Sequence, residues 1–311
     1  MEYKCVEFTI YYQCNVDCVF CSHTVRMEHF ADSPIPVGEI VDKLKEKRKD
    51  GFNHVTFTGG EPTLYPGFAK LLEICRLLGY RTRAVSNGWP FSSEEYAKKT
   101  LPYLDELCLS IHGADSKSHD YMTGAKGGYL KMKRALETVC ALKPDIKLIV
   151  NSVATSKNVD ELAAIASWVS RHEPVSEYWI STLVAQGAGW DRFKELSLPN
   201  REVMARASEI VRAAGRVPVR FYGFPLCVLG QYRDCSTDVG RNPAVAVYRG
   251  RKKDGTTDIR EMESKKTDPP HVKPSVCSDC GASSHCGGLW REYYRLYGDS
   301  ELTPLTSEVA A

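Results

Sequence analysis

The sequence predicts an α/β protein: a partial (β/α)6 TIM-like barrel with a small Cys-rich C-terminal extension made of a β-hairpin plus a helix. Three observations predict it. Strand-like and helix-like segments alternate six times up to about residue 215. The polar and Gly-rich motifs of that stretch follow directly on strand-like runs, which is where barrels of this type gather their chemistry. Beyond that point the alternation stops, and clustered cysteines and short strand-like runs replace it. The expected division is therefore 1-215 for the barrel core and 216-311 for the extension.

The elements follow in order. Lys4–Ile10 reads as a strand, with Val6, Phe8 and Ile10 apolar at alternate positions. Val37–Lys49 reads as an amphipathic helix with Val37, Ile40, Val41 and Leu44 on one face. His54–Phe57 is a short strand ending at Thr58-Gly59-Gly60-Glu61-Pro62, and Phe68–Leu78 is a helix with Gly79 as its C-terminal stop. Arg81–Val85 is a strand ending at Ser86-Asn87-Gly88. Ser93–Leu101 is a helix with Ser92 or Ser93 as N-cap and two glutamates in its first turn. Asp105–Leu109 and Ile146–Val153 are strands flanking the helix Leu130–Leu142. Val159–Arg171 is a helix after Asn158 as N-cap, and Glu177–Val184 is a strand followed by the helix Arg201–Ala214. Strands separated by helices pair in parallel through right-handed crossovers. In the tail, Val217–Phe221 and Ala244–Tyr248 read as short strands. Lys253-Asp254-Gly255 is a turn leading to Thr257–Ile259, so a hairpin is expected there. Asp268-Pro269-Pro270 and Lys273-Pro274 read as loop, and Leu289–Tyr297 as an aromatic helix.

Composition narrows the function classes. The chain has 311 residues, enough for a large domain with an appendage and a sizeable core. A formal charge of +2 without a run of like charges does not favour nucleic acid as a partner. The first residues lack the apolar stretch of a signal peptide, and no run of about eighteen apolar residues exists to span a bilayer. No membrane partner and a cytoplasmic location are expected. Twelve cysteines are many for such a protein but too few for a disulfide scaffold. Two groups are clustered and the rest scattered, which suits metal ligation in a reducing compartment.

The first group is Cys14, Cys18 and Cys21, spaced C-x3-C-x2-C in the loop after the first strand. Thiolates are the usual ligands of iron–sulfur clusters. A four-iron cubane needs one ligand per iron, so three cysteines leave one iron open to a group that is not protein. A zinc ion with His23 as fourth ligand is the alternative. The second group, Cys277, Cys280 and Cys286, has the pattern C-x2-C-x5-C and needs a fourth ligand. Cys227 is the best candidate and Cys235 the rival, and a zinc ribbon would use the same thiolates. Cys5, Cys75, Cys108 and Cys140 fall in strand or helix runs and read as buried small hydrophobes. Trp290, Tyr293, Tyr294 and Tyr297 read as packing.

Polar residues stand at successive strand ends: Gly59-Gly60-Glu61-Pro62, Ser86 and Asn87, Ser110, Asn151, and Gln186-Gly187-Ala188. Two glycines let backbone approach a ligand closely, and carbonyls with the Glu61 carboxylate can accept from an ammonium group. Taken singly, each also reads as a turn residue satisfying its own backbone.

Cys14, Cys18, Phe20 and Cys21 resemble the signature of the radical S-adenosylmethionine superfamily, with its aromatic residue before the last cysteine. Gly59–Pro62 is similar to that superfamily's GGEP motif, which binds the amino group of the methionine moiety. The tail resembles the SPASM and twitch appendages. Trp290 stands where the full SPASM pattern has its next cysteine, so one auxiliary cluster is expected and twitch is the closer label.

The resemblance implies a 4Fe-4S cluster on Cys14, Cys18 and Cys21, with S-adenosylmethionine chelating the open iron. It implies a second, auxiliary 4Fe-4S cluster on Cys227, Cys277, Cys280 and Cys286. The implied cosubstrate-binding set is Phe20, Gly59, Gly60, Glu61, Pro62, Ser86, Asn87, Ser110, Asn151, Gln186 and Gly187. An external donor such as flavodoxin or ferredoxin would reduce the cluster. Cleavage of the sulfonium would give a 5′-deoxyadenosyl radical that abstracts a hydrogen atom from substrate. The auxiliary cluster could accept the substrate electron, bind substrate or hold the tail in place. Cys235, if not a ligand, is the candidate hydrogen-atom donor, as in epimerases of the superfamily. His112 stands where some relatives have Asp, and the stretch His119–Gly124 reads as a substrate-side loop.

The expected substrate is a ribosomally made peptide that is crosslinked, oxidised or epimerised. The chain begins directly with the first barrel strand, without a leader-binding domain, which keeps open a dehydrogenase or epimerase of a small molecule such as an amino sugar or cofactor precursor. A zinc-stabilised binding module, the non-enzyme alternative, leaves Gly59–Pro62 and the strand-end residues unexplained.

Overall fold

The computed structural model describes residues 3–238, 244–263 and 271–306. The strands of the barrel are β1 (Cys5–Tyr11), β2 (His54–Gly59), β3 (Arg81–Ser86), β4 (Glu106–Ser110), β5 (Lys147–Val153), β6 (Val175–Ser181) and β7 (Val219–Tyr222). Consecutive strands are parallel neighbours throughout, and the sheet continues past β1 into β8 (Ala244–Arg251) and β9 (Thr257–Glu263). The order β7-β6-β5-β4-β3-β2-β1-β8-β9 leaves an edge at each end, so the barrel is partial.

Burial explains the strand sequences. Val6, Phe8 and Ile10 of β1, and Leu107 and Leu109 of β4, are fully buried. Parallel strands covered by helices read as such dense apolar runs. The helices include α1 (Thr24–Phe30), α2 (Val37–Lys49), α3 (Phe68–Leu77), α4 (Glu94–Thr100), α6 (Gly128–Leu142), α7 (Leu162–Val169), the short α8 (Ala188–Asp191) and α9 (Phe193–Leu196), and α11 (Ala207–Ala214). The helix α2 buries Ile40 and Leu44 at i, i+4 spacing. Ser93 caps α4 by accepting from the Tyr96 N–H at 3.4 Å. Cys5, Cys75 and Cys108 are buried, and Cys140 packs partly buried on the same core.

Several segments differ from the sequence expectation. The stretch around His119–Gly124 is no open loop: it belongs to α5 (Ser116–Thr123), with His119, Met122 and Thr123 buried. Asp115 caps that helix from the Ser118 N–H, and Gly124 ends it with a left-handed φ of 62°. Asn158 does not cap a helix with its side chain. Its amide instead donates to the carbonyls of His112 and Val153, each at 3.0 Å, bracing two strand ends. The segment 201–214 is two helices, α10 (Asn200–Ala205) and α11, meeting at Arg206. The sheet does not stop near residue 215 either. β7 pairs with β6, and β8 pairs in parallel with β1, so these short runs extend the barrel sheet. Lys43 and Lys47 of α2 pin the β8–β9 hairpin through Glu261 at 2.8 and 2.7 Å.

The tail beyond it is small. β10 (His271–Val272) pairs antiparallel with β11 (Leu289–Trp290), and α13 (Arg291–Tyr297) follows. The loop expected at Asp268-Pro269-Pro270 lies outside the described residues. Leu289, Tyr293 and Leu302 of the tail share an apolar cluster with Leu183, Phe193 and Leu196, and Val19, Phe20, Cys227 and Cys277 pack against it. No helix among the described residues is long and apolar enough to cross a membrane.

Candidate active site

The loop after β1 is gripped on three sides. Gly60 N–H donates to the Tyr11 carbonyl and Glu61 N–H to the Gln13 carbonyl, both at 2.8 Å, so its first half runs along the turn after β2. Asp17 N–H and Val19 N–H donate to the carbonyls of Thr123 and Met122 at 2.9 and 3.1 Å, which docks its middle on the end of α5. Gly187 packs on its last part: a Cβ there would stand 2.6 Å from the Cys21 carbonyl oxygen.

The three cysteines thereby line one cavity, of about 1150 Å³ including its open mouth. Its remaining wall comes from the C-terminal ends of β2 to β7, among them Gly59, Ser86, Ser110, Asn151, Ser181 and Tyr222. Desolvation pushes Cys14 up to about 11 and raises Cys18 and Cys21, and neighbouring thiols add to the rise at Cys14 and Cys18. Crowded thiolates away from water require a cation. A metal centre supplies that charge and displaces the protons. Among the described residues no three His, Cys, Asp or Glu side chains are arranged around a single ion. The donor set, three thiols on one cavity wall beside ample empty space, fits a cluster with one iron facing that space.

The strand-end residues divide. Ser110 and Asn151 line the cavity, and Asn151 Oδ1 accepts from Ser181 Oγ at 2.5 Å. Glu61, expected as an acceptor for ammonium, is 1% exposed, lines the cavity and also holds the site together. It accepts from the Thr63 N–H and hydroxyl and, at 2.8 Å, from the Asn87 N–H. Asn87 in turn donates to Asn15 Oδ1 at 2.7 Å and toward Cys14 Sγ at 3.7 Å. Both therefore tie β3 to the cysteine loop. Ser86 lines the cavity while its hydroxyl accepts from the Gly88 N–H at 3.0 Å. Pro62 is buried in the short turn after Glu61, and neither Gln186 nor Gly187 is among the lining residues. Cys235 lies in the turn Gly230–Cys235, on the main core, and lines neither this cavity nor the second thiol cavity described below.

Sequence reasoning missed Ser181 and Tyr222. Ser181 follows the same strand-end rule as Ser110. Tyr222 was hidden because β7 read as tail.

His112 and His119 form a buried pair, 3% and 1% exposed. Desolvation lowers His112 to about 3, with His119 adding to it, and desolvation lowers His119 to about 4. An unfolded histidine titrates near 6.5. Below that pH the unfolded chain binds protons that the folded imidazoles refuse, so stability falls as pH drops from about 6.5 toward about 4. Each imidazole contributes about 1.4 kcal/mol per pH unit in that window. Urea unfolding between pH 7 and pH 5 checks this, and replacing His119 by phenylalanine is expected to flatten the slope.

A second thiol cavity of about 340 Å³ lies in the tail, lined by Cys227, Cys277, Cys280 and Cys286 with mostly apolar neighbours. The expected fourth partner, Cys227, is brought there by α12 (Leu226–Leu229). Backbone N–H groups of Gly288 and Leu305 donate to Cys286 Sγ and Cys280 Sγ, each at 3.4 Å. Desolvation and the other thiols raise Cys227 and Cys277, against which Lys273 acts on Cys277. Four converging thiols with N–H donors to sulfur fit a fully ligated cluster.

Comparison with known proteins gives the family and the fold. A family model described as the Radical SAM superfamily matches residues 8–169. A S-adenosylmethionine-dependent nucleotide dehydratase of Lacinutrix mariniflava is 24% identical over 207 residues, 63% of this chain and 42% of that protein. The PqqA peptide cyclase of Rhizobium meliloti is 26% identical over 204 residues, 65% of this chain and 53% of that protein. The chain thus spans about half the length of these two curated relatives. Among solved structures, Streptococcus suis SuiB bound to S-adenosylmethionine superposes with a TM-score of 0.63 at 15% identity, covering 100% of this chain and 77% of SuiB. SuiB bound to its precursor peptide SuiA gives a TM-score of 0.61 at 14% identity, covering 80% and 58%. These structural matches establish a shared fold.

Proposed function

The chain belongs to the radical S-adenosylmethionine superfamily, and from that premise we propose that it oxidises, crosslinks or epimerises a ribosomally made peptide with the help of an auxiliary cluster in its tail. It is an enzyme that uses a 4Fe-4S cluster and S-adenosylmethionine. The observation that carries the finer reading is the convergence of Cys227 with Cys277, Cys280 and Cys286 on one cavity beside the barrel. Tails with such clusters accompany many peptide-modifying members of the superfamily. The relative named PqqA peptide cyclase points the same way. The relative named nucleotide dehydratase favours a second reading, in which the substrate is a small molecule.

In this proposal Cys14, Cys18 and Cys21 hold the first cluster in the barrel. The first cluster and S-adenosylmethionine, once reduced by an external donor such as flavodoxin or ferredoxin, supply a radical able to take hydrogen from an unactivated carbon. The protein's own part is placement and exclusion of water. Glu61 and Asn87 fix the cysteine loop against β3. Ser110, Asn151 and Ser181 offer polar partners at the strand ends. The extension 216-311 carries the auxiliary cluster. A cluster held by all four of these cysteines would have no iron left for substrate, and would serve electron transfer or support of the tail.

The test is anaerobic purification and reconstitution, with iron and sulfide counted and 5′-deoxyadenosine measured after reduction. About eight irons with nucleoside release is the expected result. About four irons with release retained would remove the auxiliary cluster, and zinc without iron or release would sink the enzyme reading. Replacing Cys227 by alanine is expected to lower the iron count from about eight to about four while leaving nucleoside release in place. Mass spectrometry of candidate peptides and of nucleotides incubated with the enzyme separates the two substrate readings.

A further inference from the structure

The wall of the second thiol cavity carries one charged side chain besides its four cysteines, Lys273. The strand β10 places it there: Val272 ends that strand opposite Leu289, so the next residue leaves it beside Gly288. A Cβ on Gly288 would stand 3.1 Å from Lys273 Cγ, so the lysine stem lies along that glycine. Its Nζ donates to the carbonyl of Ser283, on the same cavity wall. The side chain is thus held at stem and head, although the residue is exposed. No carboxylate among the described residues pairs with the ammonium, so its charge is not cancelled. The four sulfurs are served unequally. Gly288, Leu305 and Thr303 turn backbone N–H groups on Cys286, Cys280 and Cys227. At Cys277 it is the Lys273 ammonium that favours the thiolate, against burial and the other thiols.

We propose that Lys273 raises the reduction potential of the auxiliary cluster held by Cys227, Cys277, Cys280 and Cys286. The proposal rests on the reading of these thiols as a cluster site. A cubane on four thiolates is anionic, and one added electron makes it more so. A fixed cation beside it therefore stabilises the reduced state more than the oxidised one. The rest of the wall is mostly apolar, so few other dipoles compete with that charge. The ammonium itself reaches solvent, so its effect is moderate and weakens with salt. Lys273 lies outside the cavity of the first cysteine group and acts only through the second. Of the two roles open to such a cluster, a raised potential serves electron transfer, whereas support of the tail has no use for it.

The test is a potentiometric titration of the reconstituted full-length chain, followed by electron paramagnetic resonance. It is run in the C18A background, so that the signal comes from the tail alone. Iron content and circular dichroism are recorded for each variant. K273Q removes the charge at similar length, K273R keeps it, and K273E reverses it. K273Q is expected to lower the one-electron reduction equilibrium about three- to tenfold, which is about 30–60 mV, and K273E to lower it further. K273R is expected to stay within about twofold of the parent. Raising salt from about 0.05 to about 0.5 M should narrow the gap between parent and K273Q, a response that a packing role would not give. K273Q with a full cluster and the parent's potential overturns the proposal, and so does K273R shifted as far as K273Q. If K273Q fails to load iron, the comparison of K273R with K273E decides it. A tail that holds zinc, or no iron, would overturn the auxiliary-cluster reading instead.

Discussion

Alanine in place of Cys18 is expected to abolish 5′-deoxyadenosine release, by well over about 10³-fold, because the protein groups that remain supply orientation and not the redox chemistry. Cys18 is the middle thiol of the loop, and desolvation together with the thiols of Cys21 and Cys14 raises it well above its ordinary value. Two thiolates do not hold a cubane whose third iron has lost its protein ligand. The iron count should therefore fall from about eight to about four, the remainder residing in the tail. Removing one small thiol leaves the backbone grip on the loop intact: the contacts of Asp17 and Val19 with the end of α5 are main-chain bonds. Far-UV circular dichroism should accordingly match wild type. Full iron content with normal nucleoside release in this variant would show that Cys18 is not a ligand.

Alanine in place of Gly60 is expected to act just as strongly by a different route. Its Cβ would stand 2.3 Å from the Gln13 carbonyl oxygen and 2.7 Å from the Gln13 carbonyl carbon. Both are backbone atoms, so no side chain can swing aside. The turn after β2 and the cysteine loop must part, with loss of the hydrogen bonds from Gly60 to Tyr11 and from Glu61 to Gln13. Overpacking of this kind costs about 1–3 kcal/mol or more. Cys14 follows Gln13 directly, so the strain also moves the first thiol. The variant should reconstitute with about four irons and unfold at lower denaturant concentration. Gly38, in α2, is the control, since a Cβ there would meet nothing within 4 Å. Alanine at that position should stabilise by about 0.5–1 kcal/mol and leave the iron count unchanged. Equal effects at both positions would show that close approach at Gly60 is not what matters.

Much of the site was legible in the chain because its ligands are local. Cys14, Cys18 and Cys21 lie within one loop, so their spacing alone announces a shared centre. Ser86, Ser110 and Asn151 were legible because parallel strands place their C-terminal ends on one side of the sheet. Structural roles were less legible from residue type. Glu61 lines the cavity, and its oxygens also serve Thr63 and Asn87, because burial of a carboxylate is tolerated only where donors converge on it. The polar stretch His119–Gly124 suggested a loop, yet Asp115 and Gly124 cap it into a helix whose end docks the cysteine loop.

The sequence by itself determined the fold type and the gathering of Cys14, Cys18 and Cys21 in one loop and of Cys277, Cys280 and Cys286 in the tail, since each is written in short-range spacing. Only the tertiary structure placed Cys227, and not Cys235, on the cavity of Cys277, Cys280 and Cys286, paired β7 and β8 into the barrel sheet, and set the Val153 N–H against the His112 ring. The physical reason is common to all three. They depend on which strand lies beside which and in what register, and that choice is made by burial and backbone pairing between segments far apart in the chain.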